Sequence, residues 1–132
     1  MTPELTVLAL SVLLQGAYFA AYAFYGFVRE KQVGILWALS PRDVPGNPGG
    51  RTGRAKRAEA NLSHDLGLFA IAALVIAVSD QSTLFTATCA WLFLAARALY
   101  LPAYLFGWVP GRSILWGVAY VAILLMALAA LI

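Results

Sequence analysis

Apolar residues run almost unbroken through Leu5 to Val28, Leu66 to Val78, Leu84 to Gly107 and Ser113 to Ile132. The first and last runs carry no charge, and each is long enough as a helix to cross a hydrocarbon core of about 30 Å. Leu66 to Val78 is too short alone. Its helical register extends back through Leu62, Ala60 and Ala58 to about Arg54, which predicts one continuous helix with a polar first half. The third run is interrupted by Arg97, a side chain that either snorkels to an interface or pairs inside a bundle. The pattern therefore predicts an all-α integral membrane protein, a bundle of four transmembrane helices forming one domain over residues 1–132.

The polar prefix of the second helix, RAKRAEANLSHD, is the most informative stretch. At about 100° per residue, Arg54, Arg57, Asn61, His64 and Asp65 share a sector roughly 100° wide. Groups carried on such a face into apolar surroundings need partners, because an unpaired charge or amide there costs several kcal/mol. Asp65 is expected to pair with an arginine from another helix. His64 reads as a packing histidine, as a hydrogen-bond partner of Asn61 or an arginine, or as a group titrating near neutral pH. In the third helix Arg97, Tyr100 and Tyr104 form a narrow stripe that Trp108 would extend. Pro102 is expected to kink that helix and free a carbonyl three or four residues back.

Other local signals place the helix ends. Thr2, Pro3 and Glu4 make a start signal of cap, first-turn proline and dipole-complementing acid. Tyr18, Tyr22 and Tyr25 lie on one side of the first helix, as an interfacial belt or as the lining of a ligand or lipid cleft. Gly16 and Ala20 are a small-residue pair suited to close helix contact. The connection from Arg29 to Gly53 divides into REKQVGILWALSPRD, suited to the headgroup zone with Trp37 as an anchor, and the turn-rich DVPGNPGGRTG. That glycine-rich segment follows no strand and lacks phosphate-loop spacing. Thr52 is the expected N-cap of the second helix, and Arg54, Lys56 and Arg57 would then oppose its dipole unless an anion or carboxylate compensates them. Asp80, Gln81 and Ser82 form a turn. Ser113 is the expected cap of the fourth helix, where Arg112 adds a cation.

Composition agrees with the pattern: of 132 residues 62% are hydrophobic and 11% charged, and the mean hydropathy is +0.81. The net charge of +3 is explained without nucleic acid. Arg29, Lys31, Arg42, Arg51, Arg54, Lys56, Arg57 and Arg112 all fall on one side of a four-span topology. The positive-inside rule puts the long first connection in the cytoplasm and both termini on the opposite side. MTPELTV lacks a basic n-region, so the N-terminus is expected to be retained. Cys89 is alone, which excludes an intrachain disulfide, and a single histidine leaves no metal site.

The run RAKRAEANLSHDLGLF, followed by ARALYLPAYLFG and preceded by ALSPRD and a Pro/Gly-rich loop, resembles the membrane-associated proteins in eicosanoid and glutathione metabolism, the MAPEG family, in particular its small bacterial members. The resemblance spans essentially the whole chain. It implies four-helix protomers assembled as a homotrimer, with sites between protomers on the cytoplasmic side of a bacterial inner membrane. It further implies glutathione as co-substrate and no metal. By motif position, Arg57 and Asn61 resemble the glutathione-binding arginine and asparagine of the second helix, and Arg97, Tyr100 and Tyr104 the ligands of the third. Arg112 and Ser113 resemble an Arg-Ser pair whose arginine stabilises the thiolate in some members. His64 stands where the motif usually ends in glutamate, and an imidazole cannot replace a carboxylate that salt-bridges an arginine or the peptide amine.

Taken together, the expected ligand set is Arg54, Arg57, Asn61, His64, Arg97, Tyr100, Tyr104 and Ser113. Arg112, Tyr100 and Tyr104 are the expected catalytic groups. The implied function is a glutathione-dependent transferase or peroxidase acting on a lipophilic electrophile drawn from membrane lipid. The alternative is a non-catalytic binding or scaffold protein for lipid or another amphiphile.

Overall fold

The computed structural model describes residues 1–31, 34, 38–41, 49–108 and 110–132. The anchor expected at Trp37 and residues 42–48, which include the first part of the turn-rich loop, lie outside the described residues. Four helices, each long and apolar enough to cross a membrane, make the chain a multi-pass integral membrane protein. They are α1 (Pro3–Ala23), α2 (Gly50–Val78), α3 (Leu84–Leu105) and α4 (Gly111–Leu131). α1 continues as a π-helical segment, Phe24–Arg29. α3 packs most extensively on α4, and α1 on α2.

Several helix ends have an identifiable cause. Thr2 caps α1 by accepting from the Leu5 N–H at 3.3 Å, with Pro3 in the first turn as predicted. Thr83 and Thr86 form a reciprocal capping box at the start of α3. α2 and α3 end in the same way, with a left-handed residue and a six-to-one hydrogen bond. At α2 the residue is Asp80 (φ 55°), with Gln81 N–H on the Ile76 carbonyl. At α3 it is Gly107 (φ 69°), with Trp108 N–H on the Ala103 carbonyl.

The bundle core is built from small side chains that let the helices approach, around one aromatic pair. Phe69 of α2 and Phe93 of α3 stack with centroids 4.4 Å apart, beside Ala72, Ala73, Ala90, Ala96, Ala119 and Ala122. Large apolar side chains such as Leu13, Val78, Leu84 and Leu131 point outward, which suits a lipid solvent. Cys89 is buried, as an inert thiol should be.

Several local expectations are corrected. α2 begins at Gly50, so Gly50 to Gly53 are helical and not part of the loop. Thr52 is therefore inside the first turn and is not the cap. The anion at this helix start comes from Glu30, carried there by the π-helical end of α1. One carboxylate oxygen accepts from the Thr52 N–H (2.7 Å) and hydroxyl (2.6 Å), and the other from the Arg51 N–H (3.2 Å). Gly50 has φ +57°, and a Cβ there would lie 2.8 Å from the Glu30 carboxylate, so the clasp needs glycine. Ser113 is not a cap either: α4 starts at Gly111 after Pro110, without a side-chain cap. α3 stops at Leu105, so Trp108 packs against Gly111 and does not extend the stripe. Gly16 and Ala20 are exposed, and nothing approaches Gly16 within 4 Å, so this pair makes no close contact within the chain.

Candidate functional site

The polar faces of α2 and α3 meet, as their spacing predicts, and they meet at two depths. The deeper level centres on Arg97, whose side chain is fully buried. Its Nη1 donates to Asn61 Oδ1 at 2.8 Å and lies 3.4 Å from Asp65 Oδ2. The guanidinium also lies over the Tyr100 ring, 4.2 Å from its centroid. The Tyr18 hydroxyl of α1 donates to the Arg97 backbone carbonyl. That carbonyl is five residues before Pro102, one beyond the pair expected to be freed. Arg97 thus ties three helices together and does not snorkel. A buried ion pair of this kind is held by its hydrogen bonds, since desolvation consumes most of the Coulombic gain. Three of its atoms, Arg97 Nε and Nη2 and Asp65 Oδ1, have no hydrogen-bond partner.

The second level lies at the end of the bundle that carries the arginines. Arg54 donates from Nη1 to the Leu105 carbonyl at 3.1 Å, which places a cation on the negative end of the α3 dipole. A Cβ at Gly107 would make only ordinary contact with Arg54 Nη1, 3.4 Å away, so it is the φ of 69° that favours glycine there. One turn further along α2, Arg57 donates from Nε to the Tyr104 hydroxyl at 3.2 Å. From α4, Arg112 lies over the Tyr104 ring at 5.0 Å. Two guanidinium groups from different helices therefore converge on one tyrosine. Among the described residues neither has an ion pair; the salt bridge present is that of Arg97 with Asp65.

The predicted residues are accordingly divided. Asn61, Arg97 and Tyr100 form the deep level, and Arg54, Arg57, Tyr104 and Arg112 the shallow one. His64 and Ser113 are exposed and make no side-chain hydrogen bond to either group. Asp65 takes the inward place beside His64, because adjacent residues diverge by about 100°. Its pairing was legible; its membership of the constellation was not counted. Tyr18 was also missed, although a fully buried hydroxyl demands an acceptor. Its ladder partners Tyr22 and Tyr25 are half-buried. Arg51, exposed near this end, stacks 5.0 Å from the Phe106 centroid and 6.0 Å from that of Tyr25.

The carboxylate nearest in sequence to these arginines is turned away. Glu59 accepts from Gln15 Nε2 of α1 at 2.6 Å and from Ser63 at 2.9 Å. Glu30 is committed to the start of α2, where its hydrogen bonds to Thr52, then those to the backbone, hold its carboxyl below the ordinary value of 4.5. No group of three or more His, Cys, Asp or Glu among the described residues is placed to hold a metal ion.

Chemically, this arrangement offers fixed positive charge, two tyrosine hydroxyls and an apolar membrane flank. No curated protein and no solved structure matches the chain. The model of the MAPEG family matches residues 6–132, from the first span through both polar stripes to the last residue, and the chain belongs to that family.

Proposed function

We propose that the protein assembles as a homotrimer in a bacterial inner membrane and binds glutathione at its arginine end, which faces the cytoplasm. There it would promote attack of the thiolate on a lipophilic electrophile or peroxide. The observation that supports this most is the convergence of Arg57 and Arg112 on Tyr104 without a counter-ion among the described residues. Unpaired guanidinium groups at a membrane margin favour an anionic ligand, and glutathione brings two carboxylates. A nearby guanidinium also favours thiolate over thiol. In this reading Arg57 and Arg54 hold carboxylate and Arg112 stabilises the thiolate. The Tyr104 oxygen accepts from Arg57, which leaves its own proton to donate to the sulfur. Arg97, Asn61 and Tyr100 support the floor beneath them.

In conjugation the sulfur–carbon bond forms as the electrophile gives up its leaving group or takes the electron pair onto an adjacent atom. In peroxide reduction the thiolate attacks the terminal oxygen, the O–O bond breaks and the alkoxide takes a proton to leave as alcohol; the resulting glutathione sulfenic acid then reacts with a second glutathione to give the disulfide and water. The electrophile would arrive through lipid. An apolar cleft of about 400 Å³ lined by Leu99, Pro102, Ala103, Phe106, Trp108 and Leu115 lies at the depth of Tyr104. Calorimetric titration of glutathione into folded protein in detergent, followed by turnover assays with several electrophiles, tests the reading. Absence of binding would overturn it.

A second reading, amphiphile binding without turnover, is favoured by a separate apolar cleft between α2 and α4. It has about 330 Å³ and is lined by Leu68, Ile71, Val75, Tyr120, Ile123 and Ala127 among others. At a rise of about 1.5 Å per residue it begins more than 10 Å along the helices from Arg57 and Arg112. It suits a lipid chain and not the reacting group. Binding of lipid with no activity toward any electrophile would favour this second reading.

A further inference from the structure

We propose that the protein holds an anionic phospholipid at the cleft between α3 and α4, with its phosphate on Arg51 and one acyl chain along Leu99, Pro102 and Leu115. The site goes beyond the glutathione reading and does not depend on it.

Phe106 joins the two halves of this site. Its ring is exposed and forms part of the wall of the apolar cleft of about 400 Å³. The Arg51 guanidinium, from the first turn of α2, lies over the same ring, 5.0 Å from its centroid, and 6.0 Å from the centroid of Tyr25 at the end of α1. A cation and a groove for hydrocarbon therefore share one side chain. A guanidinium held by its face against aromatic carbon keeps its N–H donors at its edge, in the fork that matches a phosphate.

Depth agrees with that pairing. Phe106 directly follows α3, and Trp108, also exposed, lines the same end of the cleft. Exposed aromatic side chains at a helix end mark the headgroup level. Leu99 lies about 10 Å further along the helix. The cleft thus runs from the headgroups into the hydrocarbon, as an acyl chain does. A lipophilic electrophile entering it would exchange with that chain.

Charge selects the headgroup. Glu30 accepts from the Arg51 and Thr52 N–H groups, which brings the end of α1 to the start of α2. Arg29 and Lys31 flank Glu30 in the chain and are exposed. The Glu30 carboxyl is governed chiefly by its Thr52 hydrogen bonds and least by the Arg51 charge, so the guanidinium is not engaged there as an ion pair. From Arg29 to Gly53 the sequence sets Arg29, Lys31, Arg42 and Arg51 against Glu30 and Asp43. The connection is net positive whatever path it takes, and this favours a net negative headgroup over a zwitterionic one.

The test reconstitutes the protein in bilayers of phosphatidylcholine and phosphatidylglycerol, extracts it in mild detergent and counts retained lipid by native mass spectrometry, without glutathione. Phosphatidylglycerol is expected to be retained about tenfold above its share of the bilayer, the scale of one charge-assisted phosphate contact. Arg51→Ala should abolish that preference. Arg51→Lys, which keeps the charge without the planar fork, should reduce it and covers the case in which the alanine variant does not fold. Leu99→Trp, filling the cleft from an exposed position, should lower retention of both lipids. Ile71→Trp, filling the cleft between α2 and α4, should change neither. Glycerol 3-phosphate, a headgroup without a chain, should not displace the lipid.

No preference in wild type, a preference surviving in both Arg51 variants, or retention indifferent to Leu99→Trp overturns the proposal. So does loss of lipid in Ile71→Trp or displacement by glycerol 3-phosphate. A cleft covered by a second copy of the chain retains no lipid and gives the first of these results. Because glutathione is absent throughout, each of these outcomes leaves the glutathione reading standing.

Discussion

The two ends of the bundle treat charge in opposite ways. At the end carrying the N-terminus, Glu4 is fully buried, yet the Ser82 hydroxyl donates to it at 2.8 Å and the Thr86 hydroxyl donates as well. The carboxylate is closed off by the capping box of α3 and serves to pin α1 against that helix. At the arginine end, Arg57 and Arg112 have no carboxylate partner among the described residues, around a half-buried Tyr104. Polar groups that satisfy one another inside a membrane protein hold helices together; a charge left without a counter-ion is open to an anion. The Arg97 level between them belongs to the first kind, although three of its atoms lack partners.

The largest effect should come from breaking that middle level. Arg97→Met leaves Asp65 as an unpaired buried carboxylate, and removing one partner of a buried pair costs about 3–5 kcal/mol. The unfolding midpoint in detergent should fall sharply. The double variant Arg97→Met/Asp65→Leu should recover most of the loss, because the apolar pair fills the space without a stranded charge. No recovery would mean that Arg97 acts through Asn61 and Tyr100 and not through Asp65.

At the arginine end the same truncation should leave the fold almost untouched. Arg112→Ala removes a half-buried side chain stacked on Tyr104, so stability should change by less than about 0.5 kcal/mol. Turnover with glutathione should fall about a hundredfold, the scale of losing one preorganised electrostatic contact to a developing or stabilised anion. A variant that unfolds would move Arg112 into the class of Glu4 and Arg97.

Thr86→Val should show the opposite profile at the other end. It removes one donor to the buried Glu4 carboxylate and one arm of the capping box. The cost should be about 1–3 kcal/mol in stability, measured by unfolding in detergent, with glutathione affinity unchanged. A loss of affinity would join the two ends functionally and end the contrast between them.

This contrast also explains which features the sequence made legible. Four spans followed from apolar runs, because hydrocarbon imposes length and hydrophobicity on every crossing. The facing stripes of α2 and α3 followed from helical periodicity. Part of what failed depended on residues distant in the chain. Thr52 looked like a cap because capping rules search the residues beside a helix start, whereas Glu30 reaches it from 22 residues upstream. Tyr18 looked like a belt or cleft residue because its acceptor, the Arg97 carbonyl, lies 79 residues away. His64 and Asp65 could not be ranked from spacing alone. The rotation of α2 against α3 turns Asp65 inward, and that rotation is set by packing around Phe69 and Phe93.

The smallest predicted effect probes Glu30, a carboxylate at the arginine end that is bonded within the chain outside the spans. Glu30 has its carboxyl held below the ordinary 4.5, chiefly by the Thr52 hydroxyl. A group with a depressed folded-state value stabilises fully above its unfolded value, and that contribution is lost as pH falls through the folded one. Stability from the clasp should therefore be constant above about pH 4.5 and decline below it. Other carboxylates titrate in the same range, so the informative quantity is the difference between wild type and Glu30→Gln in unfolding midpoint, followed from pH 7 downward. That difference should be small, because the group is solvated, and should shrink toward zero as the medium is acidified. A difference independent of pH would show that Glu30 holds the start of α2 by shape and neutral hydrogen bonding. Its negative charge would then do nothing to offset the arginines around it, and the two ends of the bundle would differ even more than the contacts imply.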